Sequence, residues 1–161
     1  MKIHLFNTAH NDFVKTLNAM YLCKKQYSSK SYTKGAMALC VSNYVKMGVD
    51  IEEKKQRSQV TMEHFIKRFA TFQINNPPVH VDSSWFYKAW TAMESYFKLA
   101  GKGFGTSKDF VLDLEQQAIW QKGKRVAWLQ HFDIDNIIIC LCSDTYFFKQ
   151  DVRIIYHGWE D

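Results

Sequence analysis

Two prolines and seven glycines in 161 residues leave little material for tight turns. Disordered, collagen-like and turn-rich all-β architectures are therefore disfavoured from the outset. Long apolar runs are missing too. No stretch approaches the roughly 18 uncharged apolar residues of a membrane span, and the first residues lack the apolar core of a signal peptide. Only four cysteines are present, Cys23, Cys40, Cys140 and Cys142. Without an export signal they read as thiols, and a cytoplasmic location is expected.

Local signatures of catalysis are also lacking. There is no Walker phosphate loop, nucleophile elbow or zinc-protease helix. Gly101-x-Gly103-x-Gly105 joins two expected helices, which is the wrong context for a dinucleotide fingerprint. The six histidines (His4, His10, His64, His80, His131 and His157) are scattered. Glu94, set between aromatic positions on a helix, reads as an exposed residue. No enzyme and no cofactor are expected on these grounds.

What the chain has in excess is aromatic: 5 Trp, 8 Tyr and 12 Phe, 16% of its residues. That points to an interface in addition to a core. The net charge of +5 is unevenly placed. Residues 1–80 carry 12 Lys or Arg against 5 Asp or Glu, while residues 81–161 carry 9 against 11. A basic front with an acidic tail suits a nucleic-acid binder whose other end meets protein.

Periodicity predicts about five helices, with Met1–Phe6 as a short strand or arm. Expected helices cover Asn11–Lys25, Lys34–Met47 (closed by Gly48), Asp50–Arg57, Thr61–Phe72, Ser84–Ala100 and Thr106–Gln121, with Gln26–Thr33 as a loop. Trp128–Phe132 reads as helical or turn-like. Beyond it Ile137–Cys142, Tyr146–Phe148 and Val152–Tyr156 read as strands. The fold class is thus mainly α with a small C-terminal antiparallel β unit. The division is 1–132 for a helical binding domain and 133–161 for the β-rich unit.

Within this frame Lys34–Phe72 approximates a helix-turn-helix. Met62, Phe65, Ile66 and Phe69 would be inward, leaving His64, Lys67, Arg68 and Thr71 to face DNA, with Lys54, Lys55 and Arg57 on flanking phosphates. Lys122, Lys124 and Arg125 form a second basic cluster. Trp85, Phe86, Trp90, Phe97 and Trp120 are the candidate partner surface. Cys140 and Cys142 share one face of a strand and, with His157, are the weak metal candidates.

The order of features resembles the FlhC-type transcriptional activators, including the SetC- and AcaC-type proteins of conjugative elements. The residues that carry it are Met47-Gly48-Val49, Ser58 to Phe69, Pro77-Pro78, Asp82-Ser-Ser-Trp-Phe86, Lys124 to Asp133 and Ile138 to Phe147. The resemblance implies an activator subunit that joins a small FlhD-like partner, binds double-stranded promoter DNA and recruits RNA polymerase. That family's zinc site uses two Cys-x-x-Cys pairs. Here Cys140 matches the first ligand, Ser143 stands in place of the second, and the closing pair is absent. The alternative reading is a phage- or plasmid-encoded interaction module that binds a host protein without DNA.

Overall fold

The run Ala36-Met-Ala-Leu-Cys-Val41 is apolar without interruption, and in the computed structural model it is a buried strand. The structure describes residues 1–9, 15, 27–68, 72–101 and 109–159. Strands β1 (Lys2–Asn7), β2 (Tyr27–Thr33), β3 (Ala36–Ser42) and β10 (Arg153–His157) form a four-stranded sheet in the order β10-β1-β3-β2. A six-stranded sheet has the order β4-β9-β8-β7-β6-β5. Its strands are β4 (Met47–Glu53), β5 (Phe72–Ile74), β6 (Phe110–Asp113), β7 (Ala118–Gln121), β8 (Lys124–Ile134) and β9 (Ile137–Ser143). Pairing is antiparallel except for β1 with β10 and β5 with β6. Two α-helices occur among the described residues, α1 (Gln59–Arg68) and α2 (Ser83–Ala100).

The protein is therefore mainly β, which corrects the mainly α expectation. Three of the predicted helices failed for identifiable reasons. Lys34–Met47 is the β3 strand and its approach to β4, because an apolar run buried on both faces satisfies three- and four-residue spacing as well as two-residue spacing. Asp50–Arg57 opens as strand, and β2 occupies the expected loop before β3. Phe110–Gln121 is the β6–β7 hairpin, and Trp128–Phe132 lies inside the eleven-residue strand β8. Scarcity of glycine misled as well. Gly35 and Gly123 serve two hairpin turns, but Gln117, Lys122 and Asp135 also take the left-handed conformation, with φ of 48°, 50° and 50°, so few glycines suffice. The expected helix 11–25 lies almost wholly outside the described residues, and Tyr146–Phe148 is not a strand.

Helix α2 follows its sequence signals closely. The Asp82 carboxylate accepts from Trp85 N at 2.7 Å, and Gly101 closes the helix at φ 65°. Its apolar face (Ala89, Ala92, Met93, Tyr96 and Phe97) packs on Leu112, Ile119, Ala127, Leu129, Cys140 and Cys142 of the large sheet. The opposite face of that sheet, with Val49, Ile51, Phe132, Ile139 and Leu141, meets Ile3, Leu5, Ala36, Ala38 and Cys40 of the small one. Helix, large sheet and small sheet thus make three layers. Helix α1 covers the start of α2 through Met62, Phe65 and Ile66. No helix among the described residues is long and apolar enough to cross a membrane.

One buried link between layers titrates. A ring nitrogen of His131 on β8 lies 3.0 Å from the Lys88 carbonyl of α2, and burial pushes the imidazole pKa down to about 4. The neutral ring donates Nε2–H to that carbonyl. Between pH 6.5 and 4 the unfolded chain takes up a proton that the folded chain refuses, so stability falls as pH drops through that window. The loss is roughly 2–3 kcal/mol. His131→Gln, which keeps a donor, is expected to reduce the slope of the urea midpoint against pH between those limits. An unchanged slope would assign the effect elsewhere.

Candidate functional site

Strand β4 alternates Gly48, Asp50 and Glu52 with Val49 and Ile51. The latter two enter the core between the sheets, so the acidic residues face α2. Two strand residues advance about 6.6 Å and four helix residues about 6 Å, so an i, i+2 series can match an i, i+4 series. The match is realised here. Gly48 lies against the Ser95–Leu99 backbone, Lys98 Nζ donates to Asp50 Oδ1 at 2.7 Å, and Trp90 Nε1 donates to Glu52 Oε1 at 3.2 Å. Glu94, one turn before Lys98, feels the charges of both Asp50 and Glu52.

Gly48 makes the close approach possible. A Cβ at that position would overlap the carbonyl oxygen of Ser95 and stand 2.6 Å from the Leu99 nitrogen. Glycine is required there for proximity, not for helix termination, which corrects the C-cap reading.

Strand β2 runs along the other edge of β4 and bonds to it through hydroxyls. Ser29 Oγ accepts from Val49 N at 2.9 Å, and Thr33 Oγ1 accepts from Glu53 N at 3.2 Å. Between them Ser31 Oγ donates to Asp50 Oδ1 at 2.7 Å. Asp50 is buried, and its second oxygen, Oδ2, has no hydrogen-bond partner among the described residues.

Burial is the leading cause of a raised carboxyl pKa at all three acids. At Asp50 it is opposed by Lys98 and by the Ser31 hydrogen bond. At Glu52 the Asp50 charge adds to it. At Glu94 burial and then Asp50 push the pKa up to about 7, against the pull of Lys98. Three carboxyls raised together beside one lysine mark a candidate functional site.

The donor set is hard oxygen, the kind that holds Mg²⁺. The orphaned Asp50 Oδ2 is the observation that fits a cation. Among the described residues, no three His, Cys, Asp or Glu side chains form a ready-made ligand group.

Beside Glu52 opens a small pocket of about 60 Å³, lined by Glu52, Arg57, Phe65, Phe86, Tyr87 and Trp90. It joins the carboxylate array to the contact between α1 and the start of α2.

The residues expected to contact DNA do not converge. Lys54 pairs with Asp133, and Lys55 with Glu53 at 3.0 Å. His64 and Lys67 are exposed on α1, while the Arg68 side chain and Thr71 lie outside the described residues. Lys122 and Lys124 flank the β7–β8 turn. Arg125 stacks on Trp120 and Trp128, at 4.8 and 5.9 Å from the ring centroids. Of the expected partner surface, Phe86 and Phe97 are buried in the core, Trp85 and Trp90 are half-buried, and Trp120 lies under Arg125.

The three metal candidates do not converge on one site. Cys140 and Cys142 enter the core beneath α2, and burial pushes the Cys140 thiol up to about 12. His157 sits on β10, with its ring 3.0 Å from that of His4.

Local sequence does not single out Asp50, Glu52 or Lys98, the central residues of the array, and makes Glu94 read as an exposed residue. A usable signal was present in Val49-Asp-Ile-Glu52, a strand pattern with both acids on one face. Glu94 and Lys98, spaced i, i+4, supply the facing pair.

A model of the 4'-phosphopantetheinyl transferase superfamily matches residues 46–142, well over half of the chain and the whole of this array. No curated protein gives a significant match. Members of the superfamily are transferases that act on carrier proteins with CoA and use Mg²⁺. The match covers most of the residues on which the FlhC resemblance rested, and it overturns that reading. Promoter binding, an FlhD-like partner, RNA polymerase recruitment and the non-enzymatic expectation are all corrected, and the interaction-module alternative is unsupported. The FlhC resemblance rests on the order of loose motifs, several of which lie on strands instead of the expected helices.

Proposed function

Because the chain belongs to the 4'-phosphopantetheinyl transferase superfamily, we propose that it moves the phosphopantetheinyl group of CoA onto a hydroxyl of a carrier protein. The observation that carries this reading is the array in which Asp50 and Glu52 of β4 face Glu94 and Lys98 of α2.

In this reading Asp50, through its orphaned Oδ2, and Glu52 would hold Mg²⁺. A bound ion of this kind supplies charge neutralisation for the pyrophosphate. The acceptor oxygen forms a bond to the pantetheine-side phosphorus. The bridging bond to the second phosphate breaks, and adenosine 3',5'-bisphosphate leaves with that electron pair. Glu94 takes the acceptor's proton, a role suited to a carboxylate whose pKa is pushed up to about 7. Lys98 offers a fixed positive charge beside the same carboxylates. The Ser31 hydroxyl and Lys98 hold the Asp50 carboxylate from two sides.

Incubation with CoA, MgCl₂ and an apo carrier protein tests the reading by mass spectrometry of the carrier. The expected result is a carrier heavier by one phosphopantetheinyl group, dependent on Mg²⁺ and abolished by EDTA. A panel of acyl and peptidyl carrier proteins that stays unmodified, together with no binding of CoA, would overturn it.

A further inference from the structure

Arg57 is the most elaborately held cation outside the carboxylate array. Its guanidinium lies 5.6, 5.8 and 5.7 Å from the ring centroids of Phe65, Phe86 and Tyr87. Its Nε donates to the Tyr87 hydroxyl at 2.9 Å. That hydroxyl also accepts from Lys55 N at 3.0 Å and lies 3.2 Å from the Lys55 carbonyl, to which it donates. The tyrosine oxygen is thereby saturated, and one edge of the guanidinium is pinned.

The other edge makes no direct hydrogen bond, although the Arg57 charge reaches Glu52 and opposes the rise of its carboxyl pKa. Among the described residues no carboxylate forms an ion pair with Arg57, whose Nη groups donate to no protein atom. Glu52 lines the same pocket, but its Oε1 accepts from Trp90. A guanidinium fixed by three rings and a hydroxyl, with its fork open to a pocket, is organised for an oxyanion.

The site has an order along its length. Lys98 stands at the Asp50 end, and Arg57 shares the pocket at the Glu52 end. Two cations therefore bracket the carboxylates, as a pyrophosphate lying across them would require. The Arg57 end is walled by Phe65, Phe86 and Trp90, with no further cation in the lining. That lining suits the uncharged pantetheine arm and not the doubly phosphorylated nucleoside.

We propose that Arg57 is a substrate-binding residue whose guanidinium fork grips the pantetheine-side phosphate of CoA, with the adjoining aromatic pocket taking the start of the pantetheine arm. The proposal rests on the transferase reading above and names the residue that tells one phosphate of the substrate from the other.

Calorimetric titration of wild type, Arg57→Gln and Arg57→Lys with CoA and with adenosine 3',5'-bisphosphate, in MgCl₂, tests it. The bisphosphate lacks the pantetheine-side phosphate. Arg57→Gln is expected to weaken CoA 10- to 100-fold and to leave the bisphosphate within about twofold. Arg57→Lys, which keeps the charge without the fork, is expected to fall between. Trp90 emission should change with CoA in the wild type and less in Arg57→Gln.

Equal weakening of both ligands, or unchanged CoA affinity in a folded Arg57→Gln variant, would overturn the assignment and leave the transferase reading intact. A wild type that neither binds CoA nor modifies a carrier overturns both. If Arg57→Gln does not fold, Arg57→Lys carries the test, and its binding CoA as tightly as wild type overturns the proposal.

Discussion

Glu94→Gln is expected to lower the transfer rate by about 10²–10⁴-fold, the usual cost of losing a positioned general base. The wild-type rate should rise with pH through about 7, where the Glu94 carboxyl releases its proton, and this limb should vanish in the variant. The same substitution is expected to stabilise the protein. Burial and the Asp50 charge raise the carboxyl pKa from 4.5 to about 7, so between those values the folded chain keeps a proton that the unfolded chain has lost. Stability therefore falls as pH rises through that window. Glutamine removes this dependence. After allowance for partial exposure, the gain at pH 8 is of order 1 kcal/mol, or a few degrees in Tm. Scanning calorimetry at pH 5 and pH 8 checks it, with the gain expected only at the higher pH. A variant that is inactive yet no more stable at pH 8 would place Glu94 in the chemistry but not in the electrostatic strain.

Gly48→Ala is expected to have the largest structural effect of any single methyl addition in the site. The new carbon would overlap the Ser95 carbonyl oxygen and crowd the Leu99 nitrogen, both of which are backbone. A side chain could rotate away, but backbone atoms inside an eighteen-residue helix cannot yield separately. Helix α2 must therefore lift from β4 as a unit, disturbing the buried Ala92, Met93 and Tyr96. The expected cost is about 3 kcal/mol or more, which lowers Tm by roughly 6–12 °C. The same shift would carry Glu94 and Lys98 away from Asp50. CoA binding should then be lost even at temperatures where circular dichroism shows the variant folded. Full retention of the Lys98–Asp50 pair and of CoA affinity would show that the layer spacing is looser than the geometry implies.

These two residues also show why the site was hard to read. Val49-Asp-Ile-Glu52 looks like a helix start when Asp50 is paired with Glu53 as a capping box. The same letters, read with a period of two, place two acids on one face of a strand. Local sequence does not choose between those periods. The choice is made by the ladder to β9, which pairs every residue from Met47 to Glu53. Aromatic neighbours make Glu94 read as an exposed residue, yet it is half-buried against β4. Its chemistry comes from Asp50, 44 positions earlier, and no window of sequence contains both.

Helix α2 was legible because its determinants are local: a capping Asp82, a broad apolar face with helical spacing, and Gly101 at the end. Strand β9 was legible for the same kind of reason, being a short β-branched run bounded by turns. The hairpins were harder to read, because Gln117, Lys122 and Asp135 share the left-handed turn positions with Gly35 and Gly123, and glycine counts register only the latter two.

Scarcity of glycine and proline, then, excluded less than it promised. By itself the sequence determined where α2 begins and ends, which face of it is apolar, and that the chain carries an aromatic excess and an uneven charge. Tertiary structure alone decided that the apolar runs are strands and that Asp50 and Glu52 meet Glu94 and Lys98. It also placed Arg57 among three rings, beside those carboxylates. The physical reason is range. Caps and helical stripes are written within about four residues, whereas a strand's identity and a carboxylate's pKa depend on partners brought from far along the chain.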